Sequence, residues 1–470
     1  MNPITIPNIS IPTIGIPTIG IPSVGFPSAS GGGGLSWPAG MKEHIKAWYD
    51  PKKQGMTNFD VIESYADDFT KWRIENTGVT STQKKIVIAA GTELKYNVAY
   101  KGFGNSIAEF DIKYTGNAVI RYQYNKEDGT TGIITINRSG IYHLPASIKA
   151  QKNFGFYCNS QTVTEEATIE QLPTSILKDF SGNGNHAYLY GGKGKLNSGM
   201  GVYKFDFLSD LRINSAYIPY SDRQEDKICS LIEHPAGWLF QFISLSDIPA
   251  FKVEVKGIVN DRFVYRYYDE NGNRGKEIII NKDGIYELPI SYSVENNTGV
   301  GIVCSDACVD NVCFTQIPDY PNQLCYDGKM YAVCYDFPIL TDYTVMAERT
   351  WFENRNVFLA KGNITTEAKY AFIFERFKPD GVMAVQSFGA WNDVVSTTDS
   401  CISYLTKNKY NGIDIRSGIG ADDDMLSIGG ALNKGNIELT SVCCHGAIIV
   451  ADRSFTEEEI NWLKQNWDKI

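Results

Sequence analysis

Ile136-Asn137-Arg138-Ser139-Gly140-Ile141-Tyr142-His143-Leu144-Pro145 recurs 144 residues later as Ile280-Asn281-Lys282-Asp283-Gly284-Ile285-Tyr286-Glu287-Leu288-Pro289. The likeness extends outward from both copies. Upstream, Glu109-Phe110-Asp111-Ile112-Lys113-Tyr114 parallels Phe251-Lys252-Val253-Glu254-Val255, and Tyr122-Gln123-Tyr124 parallels Arg266-Tyr267-Tyr268. A turn follows each aromatic stretch, Glu127-Asp128-Gly129 and Glu270-Asn271-Gly272, and reads as a hairpin tip. Downstream, Gln171-Leu172-Pro173 and Gln316-Ile317-Pro318 close the two copies. Phe251, Val253 and Val255 alternate with Lys252, Glu254 and Lys256, which is the two-residue period of a half-buried strand. The repeat therefore predicts two small β-sandwich modules, residues 86–173 and 241–318, each large enough for one modest core.

The rest of the composition agrees with an all-β chain. Among 470 residues, Tyr 27, Phe 23 and Gly 43 supply strand formers and tight turns. The formal net charge is −10 and no run of five basic residues occurs, so the chain lacks the basic stripe that displaces counterions from phosphates. Nucleic acid is not expected as a partner. No stretch of 18 apolar residues occurs, so membrane insertion is not expected either. The start, Met1-Asn2-Pro3, carries no Lys or Arg before Lys42, and proline interrupts each apolar run, unlike a secretory leader. Ten cysteines (158, 229, 304, 308, 313, 325, 334, 401, 443 and 444) are too sparse for a disulfide scaffold and suit buried thiols made in a reducing cytoplasm, with a disulfide and a metal site as the lesser alternatives. Cys304, Cys308 and Cys313 cluster, but their spacing matches no zinc template and no histidine is near in sequence.

Residues 4–28 are five copies of a pentad, [Ile/Val]-x-[Ile/Phe]-Pro-x, with prolines at 7, 12, 17, 22 and 27. Proline at that frequency excludes helix and central strand, leaving an extended path of roughly 80 Å. Ile4, Ile6, Ile9, Ile11, Ile14, Ile16, Ile19, Ile21, Val24 and Phe26 cannot form a core within such a ribbon. A linker would be polar. The ten apolar side chains point instead to docking against other subunits. Gly31 to Gly34 follow as a hinge, so residues 1–34 are expected to attach and to let the body swing.

With both modules set aside, residues 42–85, 174–240 and 319–470 remain. Ala47-Trp48-Tyr49-Asp50 is followed by Gly55-Met56-Thr57-Asn58. Leu177-Lys178-Asp179-Phe180-Ser181-Gly182-Asn183-Gly184-Asn185-His186 forms a glycine-rich turn, and Leu426-Ser427-Ile428-Gly429-Gly430 is a third stretch. The fourth stretch runs from Gly446 to Ile460. Thr456 and Glu459 then make a capping box, with Ile460, Leu463 and Trp467 on one helical face. These stretches resemble the laminin-G/concanavalin-A-like lectin superfamily. The resemblance implies a jelly-roll sandwich interrupted by the two modules and closed by a C-terminal capping helix.

Several groups are candidates for chemistry. Asp179, Asn183 and Asn185, and separately Asp422, Asp423 and Asp424, offer oxygen ligands that could hold Ca²⁺, or are simply solvated turns. Tyr122, Tyr124, Tyr267 and Tyr268 could face a glycan, although alternating aromatics also build cores. No other cofactor is expected. Glycosidase relatives of the lectin fold carry E-x-D-x-x-E. Glu109-Phe110-Asp111 begins that way but reaches Tyr114, and the second copy has Phe251 and Val253, so catalysis is not expected. The histidines 44, 143, 186, 234 and 445 share no i, i+4 spacing, and no phosphate-binding loop is present. The whole resembles virion proteins of crAss-like gut phages. That implies a head or tail fibre, a trimer or other homo-oligomer, docked on capsid or tail through residues 1–34 and reaching surface or mucus glycans. The alternatives are a bacterial cell-surface adhesin and, third, a glycoside hydrolase.

Overall fold

The structure, a computed structural model, describes residues 36–56, 62–192, 211–212, 216–224, 227–242, 247–293, 299–353, 356–364 and 370–470. The pentad ribbon, with Ile4 to Phe26, lies outside the described residues. The chain is all-β, built from antiparallel sandwiches with a single short C-terminal helix of consequence. No described helix is long and apolar enough to cross a membrane.

The largest sandwich pairs two sheets. In one, Val442–Ala451 lies between Ile45–Tyr49 and Thr344–Trp351, and Cys401–Thr406 follows on the far side of Thr344–Trp351. The other runs through Ala187–Tyr190, Tyr331–Cys334, Leu426–Ile428, Val357–Lys361, Phe372–Phe377 and Met383–Ser387. Between them, Tyr49, Tyr326, Val345, Phe358, Phe374 and Ile448 form a core with no exposed area. Val442–Ala451 is buried along its whole length because the opposite face is covered too. There the helix Glu457–Asn466 packs Ile460, Leu463 and the following Trp467 against Met346 and Ile449. Its start is locked by the capping box, with the Thr456 hydroxyl accepting from the Glu459 amide at 3.2 Å. Arg453 clamps the Glu459 carboxylate through two bonds of 2.6 and 2.9 Å, holding its pKa down at about 2.

Each repeat copy folds into its own two-sheet sandwich. The first pairs Val79–Ser81, Lys85–Ile88, Ala167–Gln171, Phe110–Thr115 and Gly140–Leu144 against a sheet of Asn97–Lys101, Phe154–Tyr157, Ile120–Asn125 and Thr131–Ile136. The second repeats this order with Ser221–Gln224, Lys227–Ser230, Cys313–Ile317, Phe251–Lys256 and Gly284–Leu288, facing a sheet built around Gly237–Phe242, Gly301–Cys304, Phe263–Tyr268 and Arg274–Ile280. Gly155 and Gly301 hold equivalent places, with φ of 145° and 147°. A Cβ there would meet a neighbouring carbonyl oxygen, on Ala99 at 2.5 Å and on Phe240 at 2.3 Å.

The module boundaries differ from those read in the sequence. Phe69, Trp72 and Val79 lie inside the first module, and Ile228, Leu239, Phe240 and Phe242 inside the second. Both modules thus begin earlier than residues 86 and 241, and the later parts of 42–85 and 174–240 belong to them. The reason is physical. The opening strands of each copy bury apolar side chains without repeating each other's residues, so sequence likeness begins only after them.

The first module leans on the large sandwich. Leu172 and Ile141 pack with Tyr188, Tyr190 and Val333, and the Tyr188 hydroxyl donates to Asp111 at 2.8 Å. In the second module Ile285, the counterpart of Ile141, is 67 % exposed, so the repeat's face is used differently in its two settings.

Candidate functional site

The acids proposed for Ca²⁺ are engaged by the protein itself. Asp179 is buried, and its oxygens accept from the amides of Trp48 (2.9 Å), Ser181 (2.8 Å) and Asn185 (3.0 Å). The side-chain amides of Asn183 and Asn185 donate to the carbonyls of Ile45 and Lys46. This turn is a clamp on the strand Ile45–Tyr49: its oxygens face N–H groups, and no concave ring of ligands forms. Asp422 meets the Lys361 ammonium at 3.0 Å, both side chains essentially unexposed, and it also accepts from the Leu340 amide. A buried lysine thus stands where a cation would sit. Burial and Asp424 raise the Asp423 carboxyl to about 6. Among the described residues the three aspartates bring no common set of donor atoms together.

Two of the four candidate glycan-facing tyrosines are core residues. Tyr122 has no exposed area and Tyr268 only 8 %. Tyr124 is half-buried, with its ring stacked on Tyr122 at 5.9 Å. Tyr267 is likewise half-buried and stacks on Tyr265 at 5.7 Å. The true counterparts are therefore Tyr122 with Tyr265 and Tyr124 with Tyr267. Their hydroxyl contacts agree, since Tyr122 reaches Pro145 O and Tyr265 reaches Pro289 O. The sequence match was one residue out of register because the second hairpin is one residue longer, and a one-residue slip exchanges the two faces of a strand.

Glu109 and Asp111 serve packing. His143 lies 2.8 Å from Asp111 and 3.9 Å from Glu109, and Asp111 also holds Tyr188 of the large sandwich. Carboxylates do share one concave place elsewhere. A cleft of about 400 Å³ beside the C-terminal helix is lined by Asp50, Lys53, Gln323, Glu348, Trp467 and Asp468. Burial raises the Glu348 carboxyl, and the neighbouring Asp468 and Asp50 charges add to the rise. Gln323 donates to Glu348 at 3.1 Å. This group was missed in the sequence because its members are spread from residue 50 to residue 468.

The cysteine expectation needs correction at two points. Cys229 and Cys313 face each other on paired strands and form a disulfide. Beside them, the loop after strand Lys227–Ser230 brings His234 to Cys304, with Nδ1 3.6 Å from Sγ, and Cys308 completes the group. The absence of a histidine near these cysteines in sequence is therefore no guide to their surroundings. Cys158, at the place of Cys304 in the first module, does behave as a simple buried thiol, donating to the Lys95 carbonyl at 2.7 Å. A signal was available in the sequence: Cys229, Cys308 and Cys313 have no cysteine counterparts in the first copy.

No family model matches the chain, and no curated protein matches it. Among solved structures it is similar to a Trypanosoma rangeli sialidase in complex with sialic acid, at 11 % identity over 87 % of this chain and 86 % of that one, with a TM-score of 0.25. The same sialidase with the inhibitor DANA gives 10 % identity, 88 % and 90 % coverage, and a TM-score of 0.24. A triple jelly roll from the turret of an archaeal virus gives 10 % identity, 90 % and 99 % coverage, and a TM-score of 0.10. Scores this low carry no argument about fold or activity.

Proposed function

We propose that this chain is a non-catalytic structural subunit of a phage particle, a head or tail fibre whose residues 1–34 dock on other virion subunits. Its β-sandwich bodies project to meet host or mucus glycans, and identical chains associate as a trimer. The observation that carries this reading is the pentad ribbon. Ten large apolar side chains at fixed spacing, with proline in every unit, have no core of their own and need a partner surface. A symmetric assembly supplies such surfaces in equal number.

The test is mass spectrometry and cryo-EM of purified particles, with the full chain compared to one lacking residues 1–34. The reading expects the full chain on particles and the truncated chain folded but unincorporated. Normal incorporation of the truncated chain refutes docking through the ribbon. Recovery only as a free or cell-bound protein favours the bacterial adhesin.

One observation favours the glycoside-hydrolase reading enough to test it. Glu348, its carboxyl raised by burial, shares a cleft with Asp50 and Asp468. Turnover of any member of a polysaccharide panel, abolished by Glu348→Gln, would establish it. Absence of turnover across the panel refutes it.

A further inference from the structure

We infer that His234, Cys304 and Cys308 form a zinc site in the second module. The three side chains are 0 %, 2 % and 3 % exposed, and their donor atoms all lie within 4.8 Å of one another. Zinc bound tetrahedrally, at about 2.3 Å from sulfur and about 2.0 Å from nitrogen, places such donors about 3.5 Å apart. The His234 imidazole lies beside the two thiols, its Nδ1 3.6 Å from Cys304 Sγ. Two thiolates and an imidazole are a soft donor set that selects zinc over calcium or magnesium.

The surroundings are built to hold this arrangement. The Cys308 amide donates to the His234 carbonyl at 2.7 Å, and the Glu233 amide donates back to the Cys308 carbonyl at 2.8 Å, so the two ligand loops are tied by backbone. Asp261 accepts from the amides of Val309 and Asp310, both at 2.9 Å, which fixes the chain leaving Cys308. The Tyr217 ring stacks on the imidazole at 5.4 Å and shields it. His234 Nδ1 donates to the Pro235 carbonyl at 2.8 Å, so Nε2 carries the lone pair, and it is buried with no hydrogen-bond partner, a costly condition that ligation to the metal removes.

Binding exchanges the two thiol protons for one Zn²⁺. The first module provides an internal comparison. Its Cys158 occupies the place of Cys304 but is satisfied by a carbonyl, so a thiol there does not by itself require a metal. The metal would act as a staple for a sandwich whose own core is small.

The full chain, purified from a reducing cytoplasm without chelator, is to be assayed by plasma mass spectrometry. Stoichiometric zinc is expected, lost in Cys308→Ser and His234→Ala and kept in Cys158→Ser. Exchange with Co²⁺ should give a thiolate-to-cobalt charge-transfer band in the near ultraviolet. Because a ligand variant could fail to fold, the wild-type chain supplies a second readout. Chelation should open Cys304 and Cys308 to alkylation, mapped by peptide, while Cys158 stays protected. Zinc-free chain with free thiols, zinc content indifferent to the ligand variants, or a Cys304–Cys308 disulfide in that preparation would each overturn the assignment.

Discussion

Arg349 and Glu375 form an ion pair inside the large sandwich, both without exposed area. The guanidinium donates to the carboxylate at 2.5 and 2.9 Å, and further to Ser396, Ser403 and the Asp399 carbonyl. Trp351 and Tyr410 each donate to the same carboxylate, at 2.9 and 2.8 Å. Arg349→Met keeps most of the volume but strands a buried carboxylate with only two neutral donors. Breaking a buried pair from one side costs roughly 3–5 kcal/mol. For a body of this size each kcal/mol is worth about 2–4 °C, so this sandwich should melt roughly 10 °C lower. Glu375→Gln should cost a similar amount, roughly 3–5 kcal/mol, because it leaves the buried guanidinium with neutral acceptors only and turns one amide NH2 toward two donors. The double variant removes both charges, so its loss should fall short of the summed single losses by about 2 kcal/mol or more. Glutamine also leaves the backbone of residue 375 alone, where φ is 60° in a non-glycine residue. Three separate cores make global melting a composite. The assay is therefore hydrogen exchange of peptides spanning Thr344–Trp351 and Phe372–Phe377 under increasing urea. A single variant within about 1 kcal/mol of wild type, or a double variant whose losses simply add, would refute the reasoning.

Three further outcomes are expected. Glu459 has a pKa depressed chiefly by the Arg453 hydrogen bonds, to about 2. Its stabilisation is therefore present above its unfolded pKa, about 4.3, and is lost as pH falls from there through 2. Glu459→Gln should lower stability at neutral pH and match the wild type at the acid end, as read by melting across pH. Reduction of Cys229–Cys313, which closes a loop with a sequence separation of 84, should weaken the second module by up to about 4–5 kcal/mol on the loop-entropy estimate. Exchange that slows on oxidation there, with the first module unchanged, would show it. Gly301→Ala should destabilise the second module by about 1–3 kcal/mol, since its Cβ would lie 2.3 Å from the Phe240 carbonyl oxygen. Gly155→Ala should do the same to the first, and a neutral result for either by urea titration would contradict the shared geometry.

What the sequence determined by itself was local. Alternation at a period of two marked Phe251–Lys256 as a strand, and Phe251, Val253 and Val255 are buried in it. The pairing of Thr456 with Glu459 marked the helix start, and the observed cap uses both residues. These signals survive because they are set within a few residues, by side-chain direction and by unsatisfied N–H groups. Tertiary structure decided what depended on distant chain meeting distant chain. It placed Tyr122 and Tyr268 in cores, set Lys361 against Asp422, and gathered the Glu348 cleft from residues 50 to 468. It also moved the module boundaries and brought His234 to Cys304 and Cys308. No spacing rule encodes such meetings, because sheet pairing closes loops of tens to hundreds of residues, and their ends are chosen by burial of the whole core.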